Sequence, residues 1–495
     1  MLNGAASQSP SLLDLMATGA LVRESGRTGH PLGEWREVNA RLGLRRGLLA
    51  QERSRPQSDA TRIAELGRQI GADEAELREA EARLLEAAPE LAASLRATAP
   101  VLTLDQVAAR LSADTLLVEL MFLGDDLLAW AIDGAGLAGA FGVSLDTRAL
   151  EADVRQFHAV CRERGPAGEL AAALGDRLLG PLATLLPRSS SLVVVPYGVT
   201  HLLPFHALTV GGRLLGDTHR VSYLPSASAL QFLDRSGGDR GGRGSREPRP
   251  RRLLAVGNPR SMSFRPPLAD GPVALPPLPA AATEAAYVAS LFAPDATVLI
   301  GPAATEAAVR AELGAHSLLH LATHGNLVED APLASSLSLA DGDELTVYEL
   351  MGERLDAELV VLSACETARG ATTGGDDVLG LTRALLAAGA RSAVVSLWPV
   401  DDVSTSLLMG HLYRRLREGA DPAEALASAQ RELRALGPAD AAAALAAMEE
   451  RLARSGAADA TIAPATTAAR AAVAADASAA VYGHPYYWAP FILIG

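Results

Sequence analysis

Residues 317–325 read SLLHLATHG, and residues 359–370 read LVVLSACETARG. Each segment begins as a continuous apolar run of strand length and ends on a reactive residue, His324 in the first and Cys365 in the second. Continuous apolar strands are typical of a parallel sheet covered by helices on both faces. Functional side chains of such sheets gather just beyond the carboxyl ends of the strands. The two segments therefore predict an α/β fold with a candidate site at neighbouring strand ends.

Strand and helix patterns alternate around these two segments. Further apolar runs are RLLAVGNP (252–259), TVLIG (297–301), SAVVSLWPV (392–400) and WAPFILIG (488–495). Apolar residues at helical spacing predict helices over 305–313, 378–388 and 404–418. We interpret residues 253–495 as one α/β half that carries the site, with an Ala-rich excursion over 439–480.

Residues 100–233 predict another α/β half, which has no strand-end pair of His and Cys. TLLVELMFL (115–123) and DLLAWAID (126–133) predict a hairpin, and SLVVVPYG (191–198) predicts a further strand. Helices are expected over 150–164 and 167–179. Residues 234–252 are rich in Gly, Arg and Pro, which indicates a linker between the halves.

The N-terminal region has two parts. Residues 1–33 show little periodicity and indicate a flexible leader. Residues 34–99 carry apolar positions every three or four residues among Arg and Glu, which predicts an antiparallel hairpin of two amphipathic helices with Pro56 near the turn. The hairpin is either a collar packed on the catalytic body or an arm that docks a partner.

Composition excludes several classes of protein. The net charge is −14 and the chain contains no Lys, which argues against a dedicated nucleic-acid binder and indicates the coding bias of a GC-rich bacterium. Two cysteines about two hundred positions apart do not suggest a disulfide framework. No apolar run is long enough for a membrane span, so we expect a soluble cytoplasmic protein. Nothing predicts a cofactor, and the sequence has neither an HExxH helix nor a CxxC pair, so no metal site is assigned; Asp376 and Asp377 are interpreted first as a helix cap, with a pocket acid or a divalent-ion site as the alternatives.

The strand-end residues match the needs of thiol chemistry. A thiol that attacks a carbonyl carbon requires an imidazole to take its proton, and it requires N–H donors for the oxyanion. Cys365, His324 and the backbone of Gly325 fill these three roles. Each residue also has a simpler interpretation, because a Cys after an apolar strand is usually a small buried residue and a His-Gly pair is often a turn.

Several segments closely resemble the CHAT family of bacterial caspase-like cysteine peptidases, in the clan that includes separase. They are HLATHG (320–325), VVLSACETARG (360–370), LVVVPYGVTHLLPFHAL (192–208), YLPSASAL (223–230), SLWPVDD (396–402) and HPYYWAPFILIG (484–495). The resemblance implies a caspase-like, mostly parallel sheet flanked by helices, and peptide-bond hydrolysis by a dyad of His324 and Cys365. It also implies that residues 100–233 are an inactive caspase-like half.

The resemblance further suggests which residues bind the substrate. The loop SLWPVDDVS after the next strand would line the specificity pocket, so Trp398, Asp401 and Asp402 are candidates, and the two acids would favour a basic substrate side chain. The alternative is that an Asp caps the helix that begins near Ser404. Glu366, beside the thiol, joins the substrate-binding set as a residue that orients the loop rather than reacts.

We therefore expect a cytoplasmic cysteine endopeptidase that cleaves a specific protein substrate. Its glycine-rich segment 370–380 suggests control by a partner protein, ligand or cleavage event. Analogy at family level suggests bacterial defence, for example cleavage of a gasdermin or another effector. One alternative is a silent caspase-like scaffold or sensor. Another is an esterase or acyltransferase that uses the same thiol.

Overall fold

The computed structural model describes most of the chain from residue 101 onward and part of the N-terminal region. The described residues are 38, 41–46, 48–49, 52–53, 55, 59–87, 101–233, 250–265, 271–326, 328, 335–363, 381–382, 385–386, 388–454 and 482–495. The predicted leader, residues 234–249 of the predicted linker, Cys365 and Glu366 lie outside these ranges.

Fourteen labelled strands occur in the described residues. They are β1 (Thr115–Leu123), β2 (Asp126–Asp133), β3 (Gly136–Ser144), β4 (Ser191–Val195), β5 (Arg220–Tyr223), β6 (Leu253–Pro259), β7 (Ala296–Gly301), β8 (Leu318–Ala322), β9 (Gly325–Asn326), β10 (Ser336–Ser338), β11 (Glu344–Thr346), β12 (Leu359–Leu362), β13 (Ala393–Ser396) and β14 (Phe491–Ile494). Two-residue ladders also join Thr209–Val210 to Arg213–Leu214 and Ser263–Phe264 to Val273–Ala274.

Helices cover the strands and connect them. The longer ones are α1 (Ala60–Ala87), α2 (Leu104–Ala108), α3 (Thr147–Arg162), α4 (Gly168–Leu179), α5 (Pro279–Phe292), α6 (Glu306–Leu313), α7 (Val347–Gly352), α8 (Asp402–Arg417), α9 (Pro422–Ala435) and α10 (Pro438–Arg454). Four-residue helices are Leu215–Thr218, Leu230–Leu233 and Pro485–Trp488. The described residues 381, 382, 385, 386 and 388 are also helical, within the range predicted for a helix.

One sheet of 11 strands runs through both halves of the chain in the order β7-β6-β8-β12-β13-β14-β5-β4-β1-β2-β3. Its pairings are parallel except for β13 with β14, β1 with β2, and β2 with β3. The predicted α/β fold with a mostly parallel sheet between helices is confirmed.

The C-terminal strand joins the halves in the middle of this sheet. β14 is antiparallel to β13, with Phe491 opposite Ser396, and parallel to β5, where Ile494 pairs with Tyr223. Because β14 reverses the direction, the parallel strands of the second half run opposite to β1, β4 and β5. We call the end of the sheet at which β8, β12 and β13 finish the His324 end.

The apolar sequences of β8, β12, β13 and β14 explain why these strands lie inside the sheet. Every residue of β8, β12, β13 and β14 is buried, as expected for strands covered on both faces. One apolar core extends across both halves, and its largest fully buried side chains include Tyr413, Phe157, Phe205 and Phe491. Burying each such ring contributes roughly 1.5–3 kcal/mol before the loss of conformational entropy.

The described residues between 38 and 53, called the first helix, are helical and pair with α1 in antiparallel fashion. Arg41 contacts Asp73 and Glu76, whereas Glu52, further along the first helix, lies 3.6 Å from Arg62. Asp73 is 2% exposed and also pairs with Arg45. These ion pairs set the register of the helix pair. None of the helices in the described ranges combines the length and the apolar character that crossing a bilayer requires.

Candidate active site

His324 lies directly beyond the end of β8, where the sequence predicts it. Its side chain is 3% exposed, and Nε2 lies 2.8 Å from the carbonyl oxygen of Pro276. A carbonyl oxygen can only accept, so Nε2 carries the hydrogen and donates it to Pro276. In the neutral ring Nδ1 is then the basic nitrogen, and this is the atom that can take a proton from a nucleophile.

Gly325 begins a small sheet of β9, β10 and β11 next to His324. Its register partner is Leu337, and the N–H of Ser338 donates to the carbonyl of His324. This pattern makes Gly325 and Leu337 a non-hydrogen-bonded pair, so the N–H of Gly325 points away from β10. The ladder therefore does not use this N–H, which suits an oxyanion donor.

The strand that leads to Cys365 is held against β8 up to its last described residue. β12 pairs in parallel with β8, and the N–H of Ser363 extends the pairing by donating to the carbonyl of Leu321. Ser363 is two positions before Cys365 in the sequence. The ends of the two predicted strands therefore lie side by side, while Cys365 itself is outside the described residues.

A buried polar cluster ties these two strand ends to the helices. Glu284 of α5 is 4% exposed; one carboxylate oxygen accepts from the hydroxyl of Ser363 and lies 3.1 Å from Nε2 of His320. That second contact is close but not aligned as a hydrogen bond. Nδ1 of His320 lies 3.1 Å from the hydroxyl oxygen of Tyr413, and burial raises the pKa of Tyr413. The cluster therefore ties the ends of β8 and β12 to α5 and α8.

The proposed specificity loop follows β13 at the same end of the sheet. The carboxylate of Asp401 accepts the N–H of Ser404 at 2.9 Å and caps α8, as the capping interpretation predicts, and Asp402 is the first, exposed residue of the helix. Trp398 is 2% exposed, and its indole N–H donates to the carbonyl of Tyr486. Trp398 therefore supports the loop from within the core and presents almost no surface to a ligand.

The histidines and the cysteine of the first half are placed differently. Cys161 is fully buried in α3, and burial raises its pKa to about 12. His206 is buried, and desolvation lowers its pKa to about 3 despite a backbone hydrogen bond to Ala489. His201 follows β4, whose direction places it at the opposite end of the sheet from His324.

Comparison with known proteins assigns the family. The model of the CHAT domain matches residues 168–495, which is most of the chain and includes His324, Cys365 and the C-terminal strand. The chain belongs to the CHAT family. The CHAT match begins inside α4, so it includes part of the first half as well as the second.

Two relatives match short stretches of the chain. Tetratricopeptide repeat protein 28 of Mus musculus is 38% identical over 87 residues, and the Homo sapiens protein is 34% identical over 110 residues. These matches cover 18% and 22% of this chain, and the chain spans about 4% of the length of either relative. The separase chain of the Saccharomyces cerevisiae separase–securin complex aligns with a TM-score of 0.33 and 15% identity, over 49% of this chain and 14% of that chain.

Sequence reasoning missed two residues of the site. Pro276 holds His324 through its backbone carbonyl. Every residue type has such a carbonyl, so the sequence does not reveal this contact. The only signal is the PP pair at 276–277, which indicates a stiff backbone. Glu284 is the one acid in the otherwise apolar and small α5, PAAATEAAYVASLF. A lone acid on a buried helix is a recognisable signal of a polar partner inside the core.

Proposed function

We propose that the chain is a cysteine endopeptidase with Cys365 as nucleophile, His324 as acid and base, and Gly325 as an oxyanion donor. The single observation that carries this proposal is the orientation of His324. The bond from Nε2–H to Pro276 leaves Nδ1 as the base, at the end of the strand next to the one that leads to Cys365. A nucleophile, a base and a group that orients the base form the recurring pattern of covalent catalysis.

The reaction follows from these roles. Nδ1 of His324 takes the thiol proton, and the sulfur attacks the peptide carbonyl carbon to give a tetrahedral oxyanion that accepts from the Gly325 N–H. The carbon–nitrogen bond then breaks, and the imidazolium donates its proton to the leaving amine. In the second stage His324 takes a proton from water, the hydroxide attacks the thioester, and the thiol leaves with its proton restored while the acid product departs.

The proposed substrate is a protein, and the proposed biological setting is regulated cleavage of an effector in bacterial defence. Family membership supports the class of reaction. The embedding of His324 in the core, at 3% exposure, supports regulation, because a substrate requires rearrangement of neighbouring segments to reach a buried imidazole.

Labelling with a peptide electrophile tests the dyad directly. We expect one covalent adduct by intact mass in the wild type and in Cys161→Ala, and no adduct in Cys365→Ala. His324→Ala should label at least a hundredfold more slowly at pH 7, because the thiol loses its base. Equal labelling of Cys365→Ala and wild type would refute the assignment. Absence of labelling and of cleavage in every variant would favour the silent scaffold, whereas turnover of activated esters alone would favour the acyltransferase.

A further inference from the structure

At the His324 end of the sheet, one buried serine of β10 bonds to the segment that carries the candidate histidine through three different groups. The backbone N–H of Ser338 donates to the carbonyl of His324 at 2.9 Å, and its own carbonyl accepts from the hydroxyl of Thr323 at 2.5 Å. Its Oγ lies 2.9 Å from Nδ2 of Asn326. Ser338 is fully buried. A single residue therefore holds the chain on both sides of the His324–Gly325 peptide.

The peptide bond between His324 and Gly325 connects Ser338 to the candidate oxyanion donor. In a planar trans peptide the C=O and the N–H point in opposite directions. Ser338 holds the carbonyl of His324 towards β10, so the N–H of Gly325, in the same plane, points away from β10. Rotation of this plane breaks the bond to Ser338 and turns the donor away from the oxyanion. The direction of the donor therefore depends on the position of Ser338.

The side chain of Asn326 holds β10 in a defined direction of hydrogen bonding. Its Nδ2 lies 3.1 Å from Oγ of Ser336 and 2.9 Å from Oγ of Ser338. The hydroxyl of Ser336 donates to the carboxylate of Glu344, and that of Ser338 donates to the carbonyl of Ser263. Because each serine uses its hydrogen there, both oxygens accept from the amide. The two N–H groups of the buried Asn326 are thus both used to hold β10.

Thr323 acts on the other side of the histidine. Its side chain is buried, and its hydroxyl also lies 3.3 Å from the sulfur of Met262. The imidazole of His324 is held separately, by the carbonyl of Pro276. The contacts of Ser338 can therefore be weakened without removing the bond that orients the imidazole. β9 has only two residues and begins with a glycine, whose backbone loses the most freedom on folding, so these side-chain contacts supply restraint that the short ladder lacks.

We propose that Ser338 is a positioning residue for the oxyanion donor, and that Thr323 and Asn326 hold it in place. Its N–H keeps the His324–Gly325 peptide in the orientation that points the Gly325 N–H at the oxyanion. Loss of a side-chain contact lets this peptide rotate, which weakens stabilisation of the oxyanion and leaves the thiol and the imidazole unchanged. The inference rests on the proposed function, in which the Gly325 N–H contacts the oxyanion.

Two reagents that react with the same thiol separate the oxyanion donor from the dyad. Iodoacetamide forms a sulfur–carbon bond to Cys365 as iodide leaves, so no oxyanion develops. A peptide aldehyde adds the thiol across its C=O: sulfur bonds to the carbon, and the thiol proton passes through His324 to the oxygen, which lies where the oxyanion forms. The aldehyde is selected from a library by its protection of Cys365 in the wild type. Protection from iodoacetamide, followed by intact mass, gives its affinity.

Three substitutions weaken the contacts of Ser338 in different ways. Thr323→Val removes a hydroxyl at nearly constant shape, Ser338→Ala keeps the backbone donor, and Asn326→Ala removes both amide donors. Each should weaken aldehyde binding about tenfold, with the iodoacetamide rate within twofold of the wild type. Ser335→Ala is the matched control, because Ser335 is also buried but its hydroxyl accepts from Val328, beyond the positioned segment. Its affinity and rate should equal those of the wild type.

The outcomes separate this inference from the proposed function. Equal aldehyde affinity in the wild type and in the three variants overturns the positioning role and retains the peptidase. A parallel fall in aldehyde affinity and iodoacetamide rate also overturns it, because general loosening of the fold disturbs the dyad as well as the donor. An equal loss in Ser335→Ala does the same. If no aldehyde protects Cys365 in the wild type, the peptidase is refuted, and the inference is refuted with it.

Discussion

The two halves of the sheet place similar residue types in different surroundings. In the first half, the thiol of Cys161 is sealed inside a helix with its pKa raised to about 12, and His206 is held neutral with its pKa lowered to about 3. In the second half, His324 lies beyond a strand end, where Nε2 is held by the carbonyl of Pro276 and Nδ1 is the nitrogen that we propose as the base. Both halves contain Cys and His residues. We infer that the position of these residues relative to the strand ends decides which half can react.

The sharpest test of the difference between the halves replaces His324 of the second half and His201 of the first half by alanine, one at a time. His324→Ala should lower kcat/KM by about three to four orders of magnitude, because the thiol loses its proton acceptor. His201→Ala, after β4 of the first half, should change kcat/KM less than twofold. Steady-state cleavage of a peptide substrate, selected by screening a peptide library with the wild type, measures both. A comparable loss in His201→Ala would show that the first half takes part in the chemistry.

The next largest effect is expected at Glu284, the buried acid of the second half. Glu284→Gln removes the negative charge beside His320 and weakens the bond from Ser363, so we expect a loss of about 2–3 kcal/mol in the free energy of unfolding. Activity should fall about tenfold through kcat as the strand ends loosen. Urea unfolding and steady-state kinetics measure the two losses, and an unchanged kcat in a folded variant would contradict the positioning role.

Glu119 of β1 is the matched acid in the first half. Burial raises its pKa, so folding disfavours the ionised form relative to the unfolded chain. Because its folded pKa lies above the unfolded value of 4.5, Glu119 reduces stability as the pH rises through that value. Glu119→Gln should therefore raise stability above about pH 4.5, by at most about 1 kcal/mol, and leave kcat unchanged. A loss of stability at pH 7 would contradict this assignment.

The sequence predicts the α/β class and the strand ends because a continuous apolar run and the point where it stops are visible within a few neighbouring residues. It does not predict the exchange of direction at β14, since WAPFILIG pairs equally well in either direction until Tyr223 and Ser396 approach it in space. It also misses β3, whose sequence GLAGAFGVS has small residues where a strand usually carries bulky ones. The roles of Pro276 and Glu284 depend on contacts 48 and 79 positions away in sequence, with His324 and Ser363 respectively.

The junction between the halves predicts a pH-dependent effect on stability. The side-chain nitrogen of Gln430 in α9 lies 3.2 Å from the carbonyl oxygen of Trp488, 2.8 Å from that of Phe491 and 3.2 Å from Nε2 of His206. Burial at this junction disfavours the protonated form of the His206 ring. With a folded pKa of about 3 and an unfolded pKa of 6.5, His206 favours unfolding as the pH falls below 6.5. This residue should cost about 2 kcal/mol at pH 5 relative to pH 8.

His206→Gln tests the prediction because Gln keeps an acceptor but does not titrate in this range. The free energy of unfolding, measured by heat or urea, should fall between pH 8 and pH 5 in both proteins. The fall should be larger by about 2 kcal/mol in the wild type than in the variant. The difference between the two proteins cancels the contributions of the other buried histidines. Parallel slopes would show that His206 does not titrate on unfolding, and the junction would then be no source of pH sensitivity.

The smallest expected effect on activity concerns Cys161, whose thiol should not take part in catalysis. Because the pKa of Cys161 is about 12, less than about 0.1% of it is thiolate at pH 8, and iodoacetamide should modify it only after unfolding. Cys161→Ala should leave kcat unchanged and cost about 1 kcal/mol for the lost packing in α3. One fast-reacting equivalent in the wild type and none in Cys365→Ala would place all thiol reactivity in the second half. Two fast equivalents would mean that burial in α3 does not silence the first half, and the contrast between the halves would then need a different cause.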